Sequence, residues 1–386
     1  MKCLRNDKKI RLMLVIDFIY SMTGGTENQI AKLINNLDGD KYELYLVCLK
    51  NTPWMVAKSG ELKCKVKAFN YTVFNHKDPR NIISFLGMIK YIKKVNPDIV
   101  ITFFKTSYIL GVLAARLAGV QNIISTRRDY GLWLDDRSIH LLRFANRFVR
   151  GIITNSYKVK ELTNKSEGFD DSKISVIYNG INSNHFERDR NAEKALKESL
   201  GIPAHHNVVG IIAGLRPMKR HRTFLKAAKR VLRYRNDIDF VIVGDGPLRK
   251  DLETIASALE IGNDIHFVGW QEDVGPFLSV FDIGVNCSAN EGFSNAIMEY
   301  MTYGVPCIVS DAGGNPELVE HGINGYTFEL DNDEELANQI IGLLDNKERQ
   351  KEFVSKSKQK ILEQLTLEKM IDAYDKYFTQ ILGITA

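Results

Sequence analysis

The chain of 386 residues is predicted to fold as two α/β domains, each a Rossmann-like, doubly wound parallel sheet. Three observations predict this class. Short, continuous apolar segments alternate with helical segments, which is typical of parallel strands buried on both faces. The same alternation starts again after a polar stretch near residue 190. Glycine-rich turns follow several of the apolar segments, where a strand would pass into a helix.

The first half of the chain holds one set of these elements. Its predicted strands are Ile10–Asp17, Tyr42–Leu49, Asp98–Phe103, Ile123–Thr126 and Gly151–Asn155, with helices at Glu27–Leu37 and Asn81–Val95. Asp17 interrupts the first apolar run and no small-residue cleavage site follows, so we interpret this run as a strand rather than a signal peptide. No apolar run approaches the length that would span a bilayer.

The second half repeats the pattern. Its predicted strands are Asn207–Ala213, Phe240–Gly244, Ile265–Val268, Ile283–Asn286 and Pro306–Ser310, with a helix at His221–Arg235 and a helical tail over Asp333–Leu382. We expect domains at 1–190 and 191–365, and a C-terminal helix over 366–386 that packs back on the first domain. Because ligands of open α/β sheets bind beyond the carboxyl ends of the strands, we expect a ligand cleft between two facing domains.

The composition limits the class of function. Hydrophobic residues make up 44% and charged residues 26% of the chain, as in ordinary globular proteins. The net charge of +5 permits an anionic ligand or surface but disfavours a nucleic-acid-binding module. The five cysteines are odd in number and form no CxxC pair, which disfavours a disulfide framework or zinc site and favours a reducing cytosol.

Two glycine turns follow predicted strands. In Thr23-Gly-Gly-Thr-Glu27 the backbone could approach a ligand closely at the start of a helix, which suits an anion, and a plain turn is an equal interpretation. Val243-Gly-Asp-Gly-Pro247 is better explained as a turn. Neither has the GxGxxG pattern, so a nicotinamide oxidoreductase is disfavoured.

A basic turn lies between a strand and a helix at Gly214-Leu-Arg-Pro-Met-Lys-Arg-His221. Four of its residues, Arg216, Lys219, Arg220 and His221, gather where the cleft would lie. Arginine and lysine neutralise phosphate, so a phosphate site is one interpretation. A solvated basic turn is the other.

The most informative segment is Glu291-Gly-Phe-Ser-Asn-Ala-Ile-Met-Glu299. Glu291 is expected in a loop and Glu299 on the helix that follows. The backbone N–H groups of Gly292–Asn295, at the start of that helix, would suit a diphosphate. The two glutamates could accept hydrogen bonds from the hydroxyls of a sugar and of a ribose. Unrelated surface charges explain the spacing equally well. The continuation adds specificity, since a helix, a buried strand and two glycine turns follow, Asp311-Ala-Gly-Gly-Asn-Pro-Glu317 and Gly322-Ile-Asn-Gly-Tyr326.

Taken in order, these motifs resemble the retaining glycosyltransferases of the GT-B fold in family 4, also called glycosyl transferases group 1. The resemblance covers nearly the whole chain, through Gly24-Gly25, Tyr178-Asn-Gly-Ile181, Lys219, Gly244-Asp-Gly246, Phe267-Val-Gly-Trp270, Glu291 and Glu299, Gly304-Val-Pro306 and Gly313-Gly314. It implies transfer of a sugar, with retained configuration, from a nucleotide-diphosphate donor, most often UDP-linked. The acceptor would be a glycan or a lipid-linked glycan in bacterial polysaccharide or glycoconjugate assembly.

The resemblance also implies roles for single residues. Glu299 would hold the ribose and Glu291 the transferred sugar, while Lys219 would neutralise the diphosphate. Gly24, Gly25 and Gly244 would approach the donor, as would the backbone of Gly292, Phe293, Ser294 and Asn295, and Trp270 and Gln271 would face the base. No cofactor or metal is expected, and the Asp-x-Asp pairs at Asp237 and Asp331 are interpreted as solvated charges.

Two departures from the family pattern affect the site. Gly214 stands where members often carry an arginine, and Arg216 is the hypothetical substitute. Arg128 stands where a histidine before Asp129 is common, so we expect a contact with sugar or phosphate there rather than acid–base catalysis. A nucleotide-sugar-binding protein without turnover is therefore the alternative function.

A row of basic residues lies in the first domain, which we expect to bind the acceptor, as we expect the second to bind the donor. Arg137, His140, Arg143, Arg147 and Arg150 recur every three or four residues and would share one side of a helix. A solvated helix face is the simpler interpretation, and a contact with anionic lipid is the sharper one. We accordingly expect a cytoplasmic protein. If the basic helix face contacts anionic lipid, we expect the protein to lie peripherally on the inner face of the cell membrane.

Overall fold

The computed structural model describes residues 9–20, 25–72, 78–131, 135–183 and 190–384. The chain forms two compact units. Unit 1 comprises Met1–Gly180 and Glu368–Ala386, and unit 2 comprises Ile181–Leu367. Each unit contains one parallel sheet with helices between successive strands, which confirms the predicted fold class.

Unit 1 has a seven-stranded sheet within the described residues, in the order β3-β2-β1-β4-β5-β6-β7. The central strands are buried on both faces because they are continuous runs of apolar and β-branched residues. The strands are β1 Ile10–Ile16, β2 Tyr42–Cys48, β3 Lys65–Ala68, β4 Ile99–Phe103, β5 Ile123–Arg127, β6 Gly151–Thr154 and β7 Ile174–Val176.

Helices cover both faces of this sheet. One set of helices, α3, α4 and α5, packs its apolar side chains into a single core with β1, β2 and β4. The helices of unit 1 are α1 Gly25–Asn36, α2 Pro53–Lys58, α3 Arg80–Val95, α4 Val112–Leu117, α5 Asp136–Asn146 and α6 Tyr157–Glu167, and a π-helical segment at Ser107–Gly111 leads into α4.

Unit 2 has a six-stranded parallel sheet within the described residues, in the order β10-β9-β8-β11-β12-β13. Its strands are β8 Asn207–Ile212, β9 Ile238–Val243, β10 Ile265–Gly269, β11 Ile283–Asn286, β12 Cys307–Ser310 and β13 Gly325–Phe328. Its helices are α7 Arg190–Leu200, α8 His221–Leu232, α9 Arg249–Ala258, α10 Gly275–Val280, α11 Asn295–Thr302, α12 Asn315–Leu318, α13 Asp333–Asp345 and α14 Lys347–Lys360, followed by a π-helical segment at Ile361–Leu365. The chain then enters α15, Leu367–Leu382, which returns to unit 1.

The strand order reverses once in each sheet, between β1 and β4 in unit 1 and between β8 and β11 in unit 2. At such a switch point the loops after the two neighbouring strands leave in opposite directions and open a crevice at the carboxyl edge. In unit 2 these loops are the basic turn after β8 and the glutamate segment after β11.

The boundary between the units differs from the predicted one. The chain leaves unit 1 at Gly180 rather than near residue 190, because Gln29 anchors Gly180 through its amide, accepting from the Gly180 N–H at 3.0 Å and donating to the carbonyl at 3.1 Å. The polar sequence that follows residue 190 forms α7, which packs against α10.

The last helix, α15, belongs to unit 1 from Glu368 onward. Its Asp375 accepts hydrogen bonds from Lys41 Nζ and from Tyr42 Oη, both at 2.7 Å, and its Phe378 is fully buried. Part of the first domain's packing is therefore supplied by residues that follow the second domain in sequence.

Candidate functional site

The loop after β8 carries Lys219 at the carboxyl edge of unit 2. Leu215 is fully buried and anchors the loop, and its N–H donates to the Asp245 carbonyl at 3.0 Å. A 3₁₀ turn over Pro217–Lys219 follows, and Arg220 then takes a left-handed conformation with φ of 52°. This reversal directs the chain into α8 and leaves the Lys219 side chain at the edge of the sheet.

Lys219 forms an ion pair with Glu291 across the switch point. The Lys219 ammonium donates to Glu291 Oε2, and both side chains are about one-fifth exposed, at 22% and 18%. The two loops are also joined through their backbones, because the Ala289 N–H donates to the Met218 carbonyl at 2.9 Å. Of Lys219, Glu291 and Arg216, the three residues predicted to act at the reacting sugar and diphosphate, the structure thus brings the first two together.

A buried polar network holds the glutamate loop in place. Asn286 donates through Nδ2 to Ser294 Oγ at 3.1 Å and accepts from the Ser288 N–H at 2.9 Å. Ser310 donates to the Ser288 carbonyl at 2.7 Å and accepts from Asn315 Nδ2 at 3.1 Å. All five side chains are at most 3% exposed, so the network fixes the loop from beneath without contact with solvent.

The glycine turn after β12 packs directly on the glutamate loop. The Gly314 N–H donates to the Glu291 carbonyl at 2.8 Å. A Cβ atom at Gly314 would overlap the carbonyl oxygen of Gly292, so this approach requires glycine on steric grounds. The turn that the sequence marked by two glycines is therefore a support for the loop that carries Glu291.

Helix α11 carries Glu299 and begins at the same loop. Ser294 is its N-cap, and its Oγ accepts from the Ile297 N–H at 3.5 Å. The phenol of Tyr300 is fully buried, accepts from the Ile212 N–H at 2.8 Å and donates to the Val285 carbonyl at 3.2 Å. These bonds fix α11 on the central strands, with half-buried Asn295 and Glu299 one turn apart on the helix.

The loops after β9 and β10 continue the same edge. Gly244 has φ of 140° and its N–H donates to the Gly269 carbonyl at 2.8 Å, while Gly269 has φ of 78°. Next in sequence, Trp270 is 57% exposed, and Gln271 donates through Nε2 to the Val268 carbonyl at 3.0 Å. The residues predicted to face the base thus lie at the carboxyl edge of unit 2, together with the Lys219–Glu291 pair.

The other polar side chains of the basic turn, those of Arg216, Arg220 and His221, lie in three different environments. Arg216 is exposed, whereas Arg220 lies 3.6 Å from Asp331 and is partly neutralised by it. His221 is 2% exposed, and burial together with the charge of Lys219 lowers its pKa to about 4. The buried imidazole of His221 is therefore neutral at physiological pH, which leaves the positive charge of this turn to its lysine and arginines.

In unit 1, the switch point is stabilised by Asp17 at the end of β1. Its carboxylate accepts from the N–H groups of Thr106 and Ser107 at 3.0 and 2.7 Å, and from Ser107 Oγ at 2.6 Å. Burial raises the pKa of Asp17, and the three hydrogen bonds oppose that rise. Gly25 begins α1 after this strand, whereas Gly24 lies outside the described residues.

Arg128 and Asp129 follow β5 at the same edge of unit 1. The Arg128 guanidinium donates to Asn179 Oδ1 and to Tyr374 Oη, the latter at 3.5 Å, and remains half-buried. Asp129 is exposed and accepts from the Gly131 N–H at 2.8 Å. Asn179 and Tyr374 are supports that sequence reasoning missed, since they are distant in sequence from Arg128.

Neighbouring Arg127 has a different environment. It pairs with Glu167 at 2.6 Å, both side chains are at most 4% exposed, and its guanidinium lies 4.3 Å from the ring centre of Tyr108. The two adjacent arginines thus separate into a structural residue within the core and a candidate ligand contact at the edge.

Among the described residues, no three His, Cys, Asp or Glu side chains are placed so that they could hold a metal ion, and independence from metal stays a prediction. Within the same part of the chain, no helix combines the length and apolar character needed to cross a bilayer. The four described cysteines carry free thiols.

Comparison with known proteins places both units in established families. The family described as "Glycosyl transferases group 1" matches residues 192–360, and "Glycosyltransferase Family 4" matches residues 23–185. The UDP-Gal:alpha-D-GlcNAc-diphosphoundecaprenol alpha-1,3-galactosyltransferase of Escherichia coli is 30% identical over 322 residues, which cover 81% of this chain and 82% of that enzyme. The N-acetyl-alpha-D-glucosaminyl L-malate synthase of Bacillus anthracis is 29% identical over 210 residues, 54% of each chain.

The fold agrees with these sequence matches. The crystal structure of Anabaena Alr3699/HepE in complex with UDP and glucose resembles this structure with a TM-score of 0.84, over 95% of this chain and 99% of that one, at 19% identity. At this identity the likeness establishes the fold, and the galactosyltransferase match establishes the family. The chain therefore belongs to the family 4 glycosyltransferases and has the GT-B fold.

Proposed function

We propose that this glycosyltransferase moves a sugar from a UDP-sugar to a glycan carried on a lipid diphosphate, with retention of configuration, in the assembly of a bacterial glycoconjugate. The specificities of relatives support the donor and acceptor classes. The Escherichia coli relative acts between UDP-Gal and a diphosphoundecaprenol-linked sugar, and Alr3699/HepE binds UDP and glucose. No external cofactor or metal is part of the proposal.

The observation that carries the proposal is the Lys219–Glu291 pair across the switch point of unit 2. The carboxylate pairs with the ammonium at the edge of the sheet. With donor bound, the ammonium would neutralise the charge that develops on the leaving diphosphate. Glu291 would then accept hydrogen bonds from the hydroxyls of the transferred sugar, and Glu299 from those of the ribose.

Retention fits a front-face reaction. The bond between the anomeric carbon and the diphosphate oxygen breaks, and the acceptor oxygen attacks from the same side. The departing diphosphate oxygen takes the acceptor's proton, so the protein need not supply a covalent nucleophile or a general base. Its task would be charge stabilisation by Lys219, by exposed Arg216 and by the N-terminal amides of α11.

The acceptor is assigned to unit 1. Arg128, held by Asn179 and Tyr374, would contact a phosphate or a sugar of the acceptor. A lipid-linked acceptor would place the protein at the inner face of the cell membrane, in the cytoplasm. The soluble substrate and the membrane-bound substrate would then approach different units.

The test is nucleotide release by the purified full chain with a panel of nucleotide sugars, with and without soluble acceptor analogues that carry a sugar diphosphate. Release that depends on both donor and acceptor is expected. Binding of a donor without release would favour the alternative, a nucleotide-sugar-binding protein in which Gly214 replaces a needed arginine. Absence of both binding and release for every donor would reject the proposal.

Two variants separate the proposed roles within the site. Glu299→Ala should weaken donor binding, whereas Lys219→Ala should mainly lower kcat, by about 10²–10³-fold. Lys347→Ala, an exposed lysine on α14, is the charge-matched control and should behave like wild type. Wild-type kinetics in both site variants would show that the assignment is wrong. An inverted product by NMR of the anomeric proton would reject the front-face reaction.

A further inference from the structure

Exposed apolar side chains in unit 1 concentrate on three helices. Of thirteen large hydrophobic residues that are exposed in the described chain, six lie on α3, α4 and α5. They are Ile82, Ile83, Leu86, Leu117, Leu141 and Phe144, and the first three are 65%, 74% and 58% exposed. Single exposed apolar residues are ordinary on protein surfaces, but a concentration of them indicates an interaction surface.

The three helices lie on one face of the sheet. Their inward residues, including Met88, Ala114 and Ala145, belong to a single core together with Met13 and Val100 of the central strands. The connections from β3 to β4, from β4 to β5 and from β5 to β6 all run in the same direction across the sheet. Because such crossovers are right-handed, their helices α3, α4 and α5 lie on the same side of the sheet. The outward residues of α3, α4 and α5 therefore belong to one continuous surface, which we call the α3–α5 surface.

The charge of the α3–α5 surface is strongly positive. Helices α3, α4 and α5 contain seven Lys and Arg and one Asp, an excess of six in a chain whose total is +5. Within the described helices α3, α4 and α5, the only carboxylate is Asp136, at the start of α5. The exposed cations of this surface are Lys90, Lys93, Lys94, Arg116, Arg137, Arg143 and Arg147.

The cations and the apolar residues are interleaved. Arg116 lies 5.7 Å from the ring centre of Phe148, and Arg147 lies 5.9 Å from that of Phe144. Phe144 and Phe148 contact each other edge to face at 5.6 Å. Long cationic side chains that lie along apolar groups keep their charged ends in water while the apolar groups enter a lipid interface.

We propose that the α3–α5 surface docks the protein on an anionic lipid bilayer. Charge complementarity selects this partner, because three helices with one carboxylate and many cations match negatively charged lipid headgroups. The exposed isoleucines and leucine of α3 would enter the boundary between headgroups and acyl chains. The inference rests on the proposed function only for the reason to dock, which is access to a lipid-linked acceptor.

The position of the apolar residues fits this purpose. A helix that connects parallel strands runs antiparallel to them, so the first turns of α3 lie at the carboxyl edge of the unit 1 sheet. Ile82, Ile83 and Leu86 occupy these turns, and Arg128 lies at the same edge after β5. Lys93 and Lys94 in the last turn of α3 and Arg116 in the last turn of α4 lie toward the opposite edge, so the α3–α5 surface extends across the helices from the edge that carries the proposed acceptor contact.

The test is sedimentation of the full chain with vesicles of phosphatidylcholine alone or mixed with phosphatidylglycerol, in the absence of donor and acceptor. Wild type is expected to bind the mixed vesicles and not the neutral ones, and its binding should weaken as the salt concentration is raised. Lys90→Gln with Lys93→Gln and Lys94→Gln should lower the partition coefficient about a hundredfold at low salt, since each lysine contributes about fivefold.

A second lysine triple is the matched control. Lys347→Gln with Lys351→Gln and Lys356→Gln removes the same charge from exposed positions of α14 in unit 2, and it should bind nearly as wild type does. Ile83→Ser with Leu86→Ser should lower binding about tenfold through lost apolar insertion, and this loss should persist at high salt.

Several results would overturn the proposal. Equal binding to neutral and anionic vesicles, or equal losses in the two lysine triples, would show that the α3–α5 surface does not select anionic lipid. Self-association that Ile83→Ser with Leu86→Ser abolishes would assign the surface to a second copy of the chain. Turnover of a soluble acceptor should be unchanged in these variants, so a failure of docking is distinguishable from a failure of the proposed function.

Discussion

The contact between Gly314 and the glutamate loop gives the sharpest prediction about the site. Gly314 has φ of −86°, which any residue adopts, so Gly314→Ala adds no backbone strain. Its Cβ would nevertheless overlap the Gly292 carbonyl oxygen, and real Cβ atoms need about 3.0 Å. Relieving the overlap requires a displacement of about 1 Å in the loop that carries Glu291, and a misplacement of this size costs about 10²-fold in rate.

We therefore expect Gly314→Ala to lower kcat for donor- and acceptor-dependent nucleotide release by about a hundredfold. The overlap also strains the native state, so the free energy of unfolding in urea should fall by about 1–3 kcal/mol. The two effects are measured separately, kcat on folded protein well below its melting temperature and stability by far-UV circular dichroism.

Gly342→Ala is the matched control. Gly342 lies within α13, and an added Cβ would have no atom within 4 Å. This variant should retain wild-type kcat and gain about 0.5–1 kcal/mol of stability, because alanine favours the helix. Wild-type turnover in Gly314→Ala would refute the reasoning, since it would show that the position of the glutamate loop does not govern the reaction.

Three further predictions concern unit 2. Gly214→Arg should fold normally, because the nearest atom to an added Cβ is the Asp245 carbonyl oxygen at 3.7 Å, and it should tighten UDP binding about tenfold in calorimetric titration through a further charge-assisted hydrogen bond. Tyr300→Phe should lower the free energy of unfolding by about 1–3 kcal/mol in urea, because it leaves a buried N–H and a buried carbonyl unpaired. His221→Asn should remove a loss of stability on acidification. The pKa of His221 is about 4 in the folded chain and near 6.5 in the unfolded chain, so the unfolded chain binds the proton first and stability falls by about 3 kcal/mol as the pH falls from about 6.5 toward 4.

Each of these predictions has an opposing result. Unchanged UDP affinity in Gly214→Arg would place that position away from the diphosphate, and wild-type stability in Tyr300→Phe would show that its two hydrogen bonds do not hold α11. His205→Asn changes an exposed histidine and should keep the acid sensitivity of wild type. If His221→Asn kept it too, other groups would be its cause.

The sequence predicted most strands because parallel strands are continuous apolar runs. Each predicted strand is present within two residues of its expected ends. The strands that were missed, β3, β7 and β13, are short and lie at the edges of their sheets. The residues of β3, Lys65–Ala68, also alternate between polar and apolar. Such segments become strands through pairing with a neighbour already in place, and this pairing is not visible in local composition.

The candidate site was predictable where motifs carry it and not where packing does. Lys219 and Glu291 lie far apart in sequence, and both stood out because each follows a strand and a glycine turn. The burial of His221 was not predictable, since the sequence of the basic turn is equally compatible with a buried and an exposed imidazole. The hydrogen-bond partners of Arg128 were also not predictable, because Tyr374 lies on a helix nearly 250 residues later in the sequence.

The packing of α15 on unit 1 has a consequence for biosynthesis. During translation, residues up to Gly180 leave the ribosome long before the side chains of Met370, Tyr374 and Phe378, which are buried in the finished protein. Unit 2 is continuous from Ile181 to Leu367 and could complete its fold first. A nascent chain stopped before Glu368 would thus present an incomplete first domain beside a finished second one, and expose it to proteases and chaperones that the full-length product escapes.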